Sequence, residues 1–222
     1  MTPEFGKVPI MDKTAFIWDL DGTLLDSYGI IVSSLYQTYR EFGIELAPGE
    51  IHREVIIYSV GEFITKMEKE TGIAPETAKE RFSAINDSEK LNIKPIKNAA
   101  EILQYLKQQG IPNYVFTHKG TSTETVLKNI GLYGIFDEII TGKDGFKRKP
   151  DPSAVLYLIK KYELDREKTF YVGDRTLDIE CAVNAGIKSI LYLPEDSPAQ
   201  KTGKETFIIR DLMEIKDLCF KV

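Results

Sequence analysis

Apolar residues come in short, nearly unbroken runs: residues 14–19 (TAFIWD), 113–117 (NYVFT), 137–141 (DEIIT), 169–173 (TFYVG) and 188–193 (KSILYL), with a weaker sixth at 206–210 (TFIIR). Continuous apolar runs of this length predict parallel strands covered on both faces. Between them the spacing changes to that of helices. Residues 98–110 place Asn98 and Glu101 in capping-box spacing and stop at Gly110. Residues 121–131 offer Thr121 or Ser122 as a cap and end at Gly131. Residues 151–162 place Asp151 as cap with Pro152 at the first helical position, and 176–186 end at Gly186. Strand and helix in alternation predict an α/β fold, a doubly wound, mostly parallel, Rossmann-like sheet.

One region breaks the alternation. From 27 to 92 the pattern is helical throughout. Ile31, Leu35, Tyr39 and Phe42 are spaced for one buried helix face closed by Gly43, and residues 61–72 and 75–85 read as two further helices. The expected organisation is an α/β core of residues 13–26 and 93–222 with an inserted all-helical cap of residues 27–92. Residues 1–12 carry no periodicity and read as an appended tag or loose extension.

Composition narrows the function. The net charge of −5 argues against a nucleic-acid grip, which needs a basic face. No run approaches the roughly 18 apolar residues of a membrane span, and the N-terminus lacks the pattern of a signal peptide. Cys181 and Cys219 have no Cys or His at metal-ligand spacing and read as thiols in a reducing compartment. A cytoplasmic protein without nucleic-acid or membrane partners, a monomer or dimer, is expected. The basic run 143–150 (KDGFKRKP) leaves Lys143, Lys147 and Arg148 as solvated loop residues.

The chemistry collects at one edge. In open parallel sheets ligands bind outside the carboxyl ends of the strands. The first strand ends in Asp19, with Asp21 two residues on; the second ends in Thr117; Lys149 follows the third; the fourth runs into Asp174, with Asp178 one helical turn later. Carboxylates gathered at one place stay ionised together only with a cation among them. Oxygen-only ligands suit Mg²⁺, and the lack of His and Cys in the set speaks against zinc. A hard cation beside a Lys and a Thr suits a phosphoryl group. One carboxylate can attack phosphorus, and a second can protonate the leaving oxygen and then activate water.

These stretches, DLDGTLLDS at 19–27, the run ending in Thr117, Lys149 before Pro150, and GDRTLD at 173–178, resemble the four motifs of the haloacid dehalogenase-like hydrolase superfamily, in order and spacing. The helical insertion resembles that family's cap. The resemblance implies Asp19 as nucleophile and metal ligand. It implies Asp21 as general acid/base, its backbone carbonyl a further metal ligand. Thr117, Lys149 and the neighbouring His118 become phosphate-binding positions, Asp174 a metal ligand, and Asp178 its partner, bound through water or to the lysine. Tyr58 and Ser59 are the cap residues that would meet substrate. Two positions depart from the pattern: His118 stands where Asn is usual, and Tyr58 where Gly is common.

DGTLLDS and KRKPDP look most like phosphoglycolate phosphatase-like members. The expected function is Mg²⁺-dependent hydrolysis of a small phosphorylated metabolite through an aspartyl-phosphate. A sugar phosphomutase of the β-phosphoglucomutase kind is the nearest alternative, although such relatives carry a His where Ile31 stands. A dehalogenase lacks the second acid that Asp21 supplies. A catalytically silent binding module would lack Asp19, Lys149 or Asp174.

Overall fold

The structure is a computed structural model describing residues 14–219, so the expected tag at 1–12 lies outside the described residues, as does the side chain of Cys219. Six strands form one fully parallel sheet: β1 (Ala15–Trp18), β4 (Asn113–Phe116), β5 (Glu138–Ile140), β6 (Thr169–Gly173), β7 (Lys188–Tyr192) and β8 (Phe207–Ile209), in the order β5-β4-β1-β6-β7-β8. The chain builds outward from β1 to β5 on one side, then returns to build β6 to β8 on the other. This reversal at β1 opens a crevice at its carboxyl end.

Alternating residues along each strand feed two cores. Phe16, Trp18, Val115, Phe170 and Val172 pack on one face with α5 (Ala99–Gln108), α6 (Ser122–Asn129) and the start of α9 (Ile215–Cys219). Ala15, Ile17, Tyr114, Phe116 and Tyr171 pack on the other with α7 (Ser153–Tyr162) and α8 (Thr176–Ala185). The indole N–H of Trp18 donates to Asn113 Oδ1 at 2.9 Å, so the largest buried side chain in β1 leaves no polar atom unpaired.

Four helices are inserted after β1: α1 (Tyr28–Glu41), α2 (Pro48–Ile57), α3 (Val60–Thr71) and α4 (Pro75–Ser88). They bury a third cluster of their own, including Ile31, Leu35, Tyr39, Ile51, Phe63, Ile64 and Met67. A two-stranded antiparallel ribbon, β2 (Leu25–Asp26) with β3 (Lys94–Pro95), joins the outgoing and returning chain. The fold is the doubly wound α/β sheet with a helical insertion that the sequence predicts.

Several local expectations need correction. Asn98 lies before α5 with φ +67, and its side chain makes no cap; its amide donates to both Asp211 oxygens, at 2.8 and 2.9 Å. A long-range partner therefore takes the side chain that local spacing assigned to the helix. Pro152 precedes α7 rather than opening it, while Asp151 Oδ1 accepts the Ser153 N–H at 2.9 Å. Phe42 falls beyond the end of α1 and is 39% exposed.

Candidate active site

Local chemistry turns the chain sharply after β1. Gly22 has φ +83, and a Cβ there would lie 2.3 Å from the Tyr28 ring and 2.4 Å from Asp174 Oδ2. Both the backbone conformation and the close approach require glycine. The turn gives Asp19 and Asp21 different partners. Asp19 is buried at the end of β1, and Lys149 Nζ donates to its Oδ1 at 2.6 Å. Asp21 pairs with a different lysine, its Oδ1 accepting from Lys119 Nζ at 3.0 Å.

Lys149 also donates to Asp178 Oδ1 at 2.7 Å, while Asp178 Oδ2 accepts the Arg175 N–H at 3.1 Å. Asp178 thus holds the lysine. The ammonium lies 5.6 Å from the ring centroids of both Phe116 and Tyr171, so its walls are aromatic faces. Asp174 accepts from Thr23 Oγ1 at 3.2 Å and from the Tyr28 hydroxyl at 2.7 Å. Carboxylate oxygens of Asp19, Asp174 and Asp178 all lie within 4.8 Å of one another.

The electrostatics follow from burial. Desolvation pushes the Asp19 carboxyl up to about 6 against the pull of Lys149, and Asp174 up to about 7 against the pull of Arg175. Neighbouring carboxylates add to both. Burial is the largest single influence on Asp21 as well, yet the Lys119 ammonium, Ser27 and Arg175 together hold that carboxyl below its ordinary value. Three buried acids therefore share too little positive charge, and Asp19 Oδ2 is buried with no hydrogen-bond partner. An orphaned oxygen in an all-oxygen cluster is what a hard divalent cation satisfies, so these residues fit one.

Thr117 is buried at the end of β4, its Oγ1 accepting the Lys119 N–H at 3.1 Å. His118 Nε2 accepts the Lys149 N–H at 2.7 Å. An accepting Nε2 fixes the proton on Nδ1, and burial, with Lys149 next, pushes the imidazole down to about 2. His118 is thus a neutral ring whose buried Nδ1 has no partner.

Between sheet edge and insertion lies a cavity of about 410 Å³. Asp21, His118, Lys119 and Ser59 line it; Tyr58 does not, and stands 49% exposed beside a separate groove with Glu54 and Lys66. Ser59 has φ +113 and its Oγ accepts the Glu62 N–H at 3.3 Å, so it caps α3 while facing the cavity. The structure also brings in residues that motif reading passed over. Tyr28 and Thr23 hold Asp174, Lys119 holds Asp21, and Arg148 and Arg175 reach the cavity wall. Lys119 carried a signal, two residues beyond Thr117; Tyr28 carried none.

The Rossmann-like parallel sheet and the carboxylate–lysine cluster at its edge mark the chain as a hydrolase of the phosphoryl-handling kind. The sequence profile of the haloacid dehalogenase-like hydrolases matches residues 16–192, and the chain belongs to that family. It is similar to the pyrophosphatase PpaX of Bacillus velezensis, 30% identical over 79% of this chain and 81% of that one. It is also similar to the phosphoglycolate phosphatase of Mannheimia succiniciproducens, 29% identical over 78% and 82%. A haloacid dehalogenase-like family hydrolase from Streptococcus pneumoniae superposes with a TM-score of 0.77 at 19% identity, covering 92% and 97% of the two chains. Within the family this chain is a phosphatase of the phosphoglycolate phosphatase-like group. Among the described residues, no helix is long and apolar enough to cross a membrane.

Proposed function

We propose that the protein is a Mg²⁺-dependent phosphomonoesterase working through a phosphorylated Asp19. The observation that carries this reading is the buried lysine spanning two of three clustered carboxylates, Lys149 to Asp19 at 2.6 Å and to Asp178 at 2.7 Å, beside Asp174. Asp19, Asp174 and the backbone carbonyl of Asp21 would hold Mg²⁺. Bound there, it supplies positive charge beside the phosphoryl oxygens.

Lys149 keeps Asp19 ionised and in place, and Thr117 and His118 Nδ1–H offer donors to the phosphoryl oxygens. An Asp19 oxygen bonds to phosphorus as the ester P–O bond breaks, and Asp21 gives its proton to the leaving oxygen. Water then attacks phosphorus, Asp21 takes the water's proton, and Asp19 departs as a carboxylate. In the resting ion pair Asp21 carries the base form. An incoming phosphoryl group competes for the Lys119 ammonium and repels the Asp21 carboxylate, so Asp21 takes up a proton from solvent or from the substrate's own monoanion before the first step.

Ile31 lines the cavity and has no proton to exchange, which favours net hydrolysis over phosphoryl migration. The substrate is a small phosphorylated metabolite; phosphoglycolate and pyrophosphate, on which the named relatives act, head the candidates. A cytoplasmic monomer or dimer, with neither nucleic acid nor membrane as partner, completes the reading. Phosphate release from an aryl phosphate tests it. Release should require Mg²⁺, stop with EDTA, and fall at least about a thousandfold in Asp19→Asn, a near-isosteric but far poorer nucleophile. Metal-independent release, or turnover surviving in Asp19→Asn, contradicts it.

A further inference from the structure

The helical insertion has a core of its own, around Leu35, Tyr39, Ile51 and Phe63, and the chain crosses between it and the sheet domain at the β2–β3 ribbon. A unit attached in this way moves relative to its neighbour unless specific contacts hold it. One such contact ends on the acid cluster. Tyr28 is the first residue of α1, and its hydroxyl donates to Asp174 Oδ2 at 2.7 Å.

The Tyr28 ring is fixed from both sides. On the core side it fills the space that Gly22 leaves open, since a Cβ there would lie 2.3 Å from the ring. On the other side it packs against the insertion's core cluster and edge-on against His52 of α2, centroids 5.5 Å apart. Arg175 adds a longer tie to the same helix, Nη1 to the Val55 carbonyl at 3.5 Å. Residues 174 and 175 thus touch the start of α1 and the last turn of α2.

Thr23 provides the comparison within the molecule. It also donates to Asp174, Oγ1 to Oδ1 at 3.2 Å, but it lies in the turn after β1, before the insertion begins. Asp174 is therefore gripped by one hydroxyl from the core and one from the insertion. A hydroxyl on a carboxylate makes a strong, directional bond, so its geometry depends on where that carboxylate stands. Asp174 stands among buried acids that repel it, with the Asp19 Oδ2 orphaned beside them. A cation held by Asp19 and Asp174 replaces that repulsion with attraction and fixes the acceptor that Tyr28 needs.

We propose that Tyr28 is a positioning residue that couples Mg²⁺ occupancy of the acid cluster to the seating of the helical insertion over the sheet edge. This rests on the metal site of the phosphatase reading and goes further, because metal and insertion act on each other through one hydroxyl. A metal-loaded core then meets its substrate with the far wall of the cavity already in place. The coupling is reciprocal: whatever affinity Mg²⁺ gains from the seated insertion, the insertion gains in stability from Mg²⁺.

Hydrogen exchange with and without Mg²⁺, saturation being checked by calorimetry, tests this in wild type, Tyr28→Phe and Thr23→Val. The amides read are those of Leu35, Tyr39, Ile51 and Val55, in the insertion's own core. In the wild type Mg²⁺ should slow them at least about fivefold, the lower end of coupling between sites. Tyr28→Phe keeps the ring and should lose most of that slowing even when saturated with metal. Thr23→Val removes the other hydroxyl, and once saturated should keep the slowing, because Thr23 does not belong to the insertion. A merely structural Tyr28 would loosen the insertion equally with and without metal, leaving the Mg²⁺-dependent ratio intact. That result, a wild-type insertion whose exchange ignores bound Mg²⁺, or an equal loss of the ratio in Thr23→Val overturns the coupling and leaves the phosphatase reading standing. If the wild type binds no Mg²⁺, the metal site and the coupling fall together.

Discussion

The two aspartates of the first motif differ in what touches them. Asp19 meets Lys149 and the acid cluster, while Asp21 meets Lys119. That two carboxylates would stand at the end of the first strand was legible in the motif. The partners were not, because Lys119 and Tyr28 reach their carboxylates across 98 and 146 positions of chain. Tyr28 is the sharper case. Its hydroxyl donates to Asp174 Oδ2 at 2.7 Å, and its ring packs edge-on against His52 of α2 at 5.5 Å. Groups that orient a metal-binding carboxylate typically matter about tenfold or more in metal affinity. Tyr28→Phe keeps the ring and removes the hydrogen bond. Mg²⁺ binding followed by calorimetry should weaken about tenfold; unchanged affinity would mean that Asp174 is held by Thr23 and its backbone alone.

At the scale of elements, the strands were readable because both faces are covered, which leaves nearly continuous apolar runs. All six predicted strands form, each within two residues of its expected ends. Helix α2 escaped notice. Its buried positions, Ile51, Val55 and Ile56, make a stripe of little more than one turn, and Pro48 and Gly49 at its start and the exposed Ile57 at its end blur the period. The β2–β3 ribbon is two residues per strand, too short for any period to register. The insertion has its own core, so its stability can be probed apart from the sheet. Leu35 is fully buried in that cluster. Leu35→Ala should cost about 2–5 kcal/mol through lost burial and a residual cavity. Hydrogen exchange should accelerate first in α1 to α4, whereas uniform acceleration through β1 and β6 would mean that insertion and sheet unfold as one unit.

For the whole molecule, the acid cluster couples stability to pH and to metal. The Asp19 and Asp174 carboxyls stand near 6 and 7 in the folded protein, above the value of about 3.9 of an unfolded aspartate. The folded state therefore holds protons that the unfolded chain has released. Their contribution is complete below about pH 4 and is lost as pH rises through 6 and 7. With EDTA present, the thermal midpoint should fall between pH 5 and pH 8. Added Mg²⁺ should raise it more at pH 8 than at pH 5, because binding displaces those protons. A metal-free midpoint that climbs across this window would contradict the assigned charge state of the cluster.

The central claim is that Asp19 takes the phosphoryl group and Asp21 manages the protons. An aryl leaving group needs little protonation to depart, so the first step survives the loss of the acid, while the second step still needs a base. Asp21→Asn fed an aryl phosphate should therefore accumulate phosphorylated Asp19. Acid quench followed by mass spectrometry should find the added phosphate on the peptide spanning residues 18–27. Phosphate on a different residue, or trapping in Asp19→Asn but not in Asp21→Asn, would contradict the account.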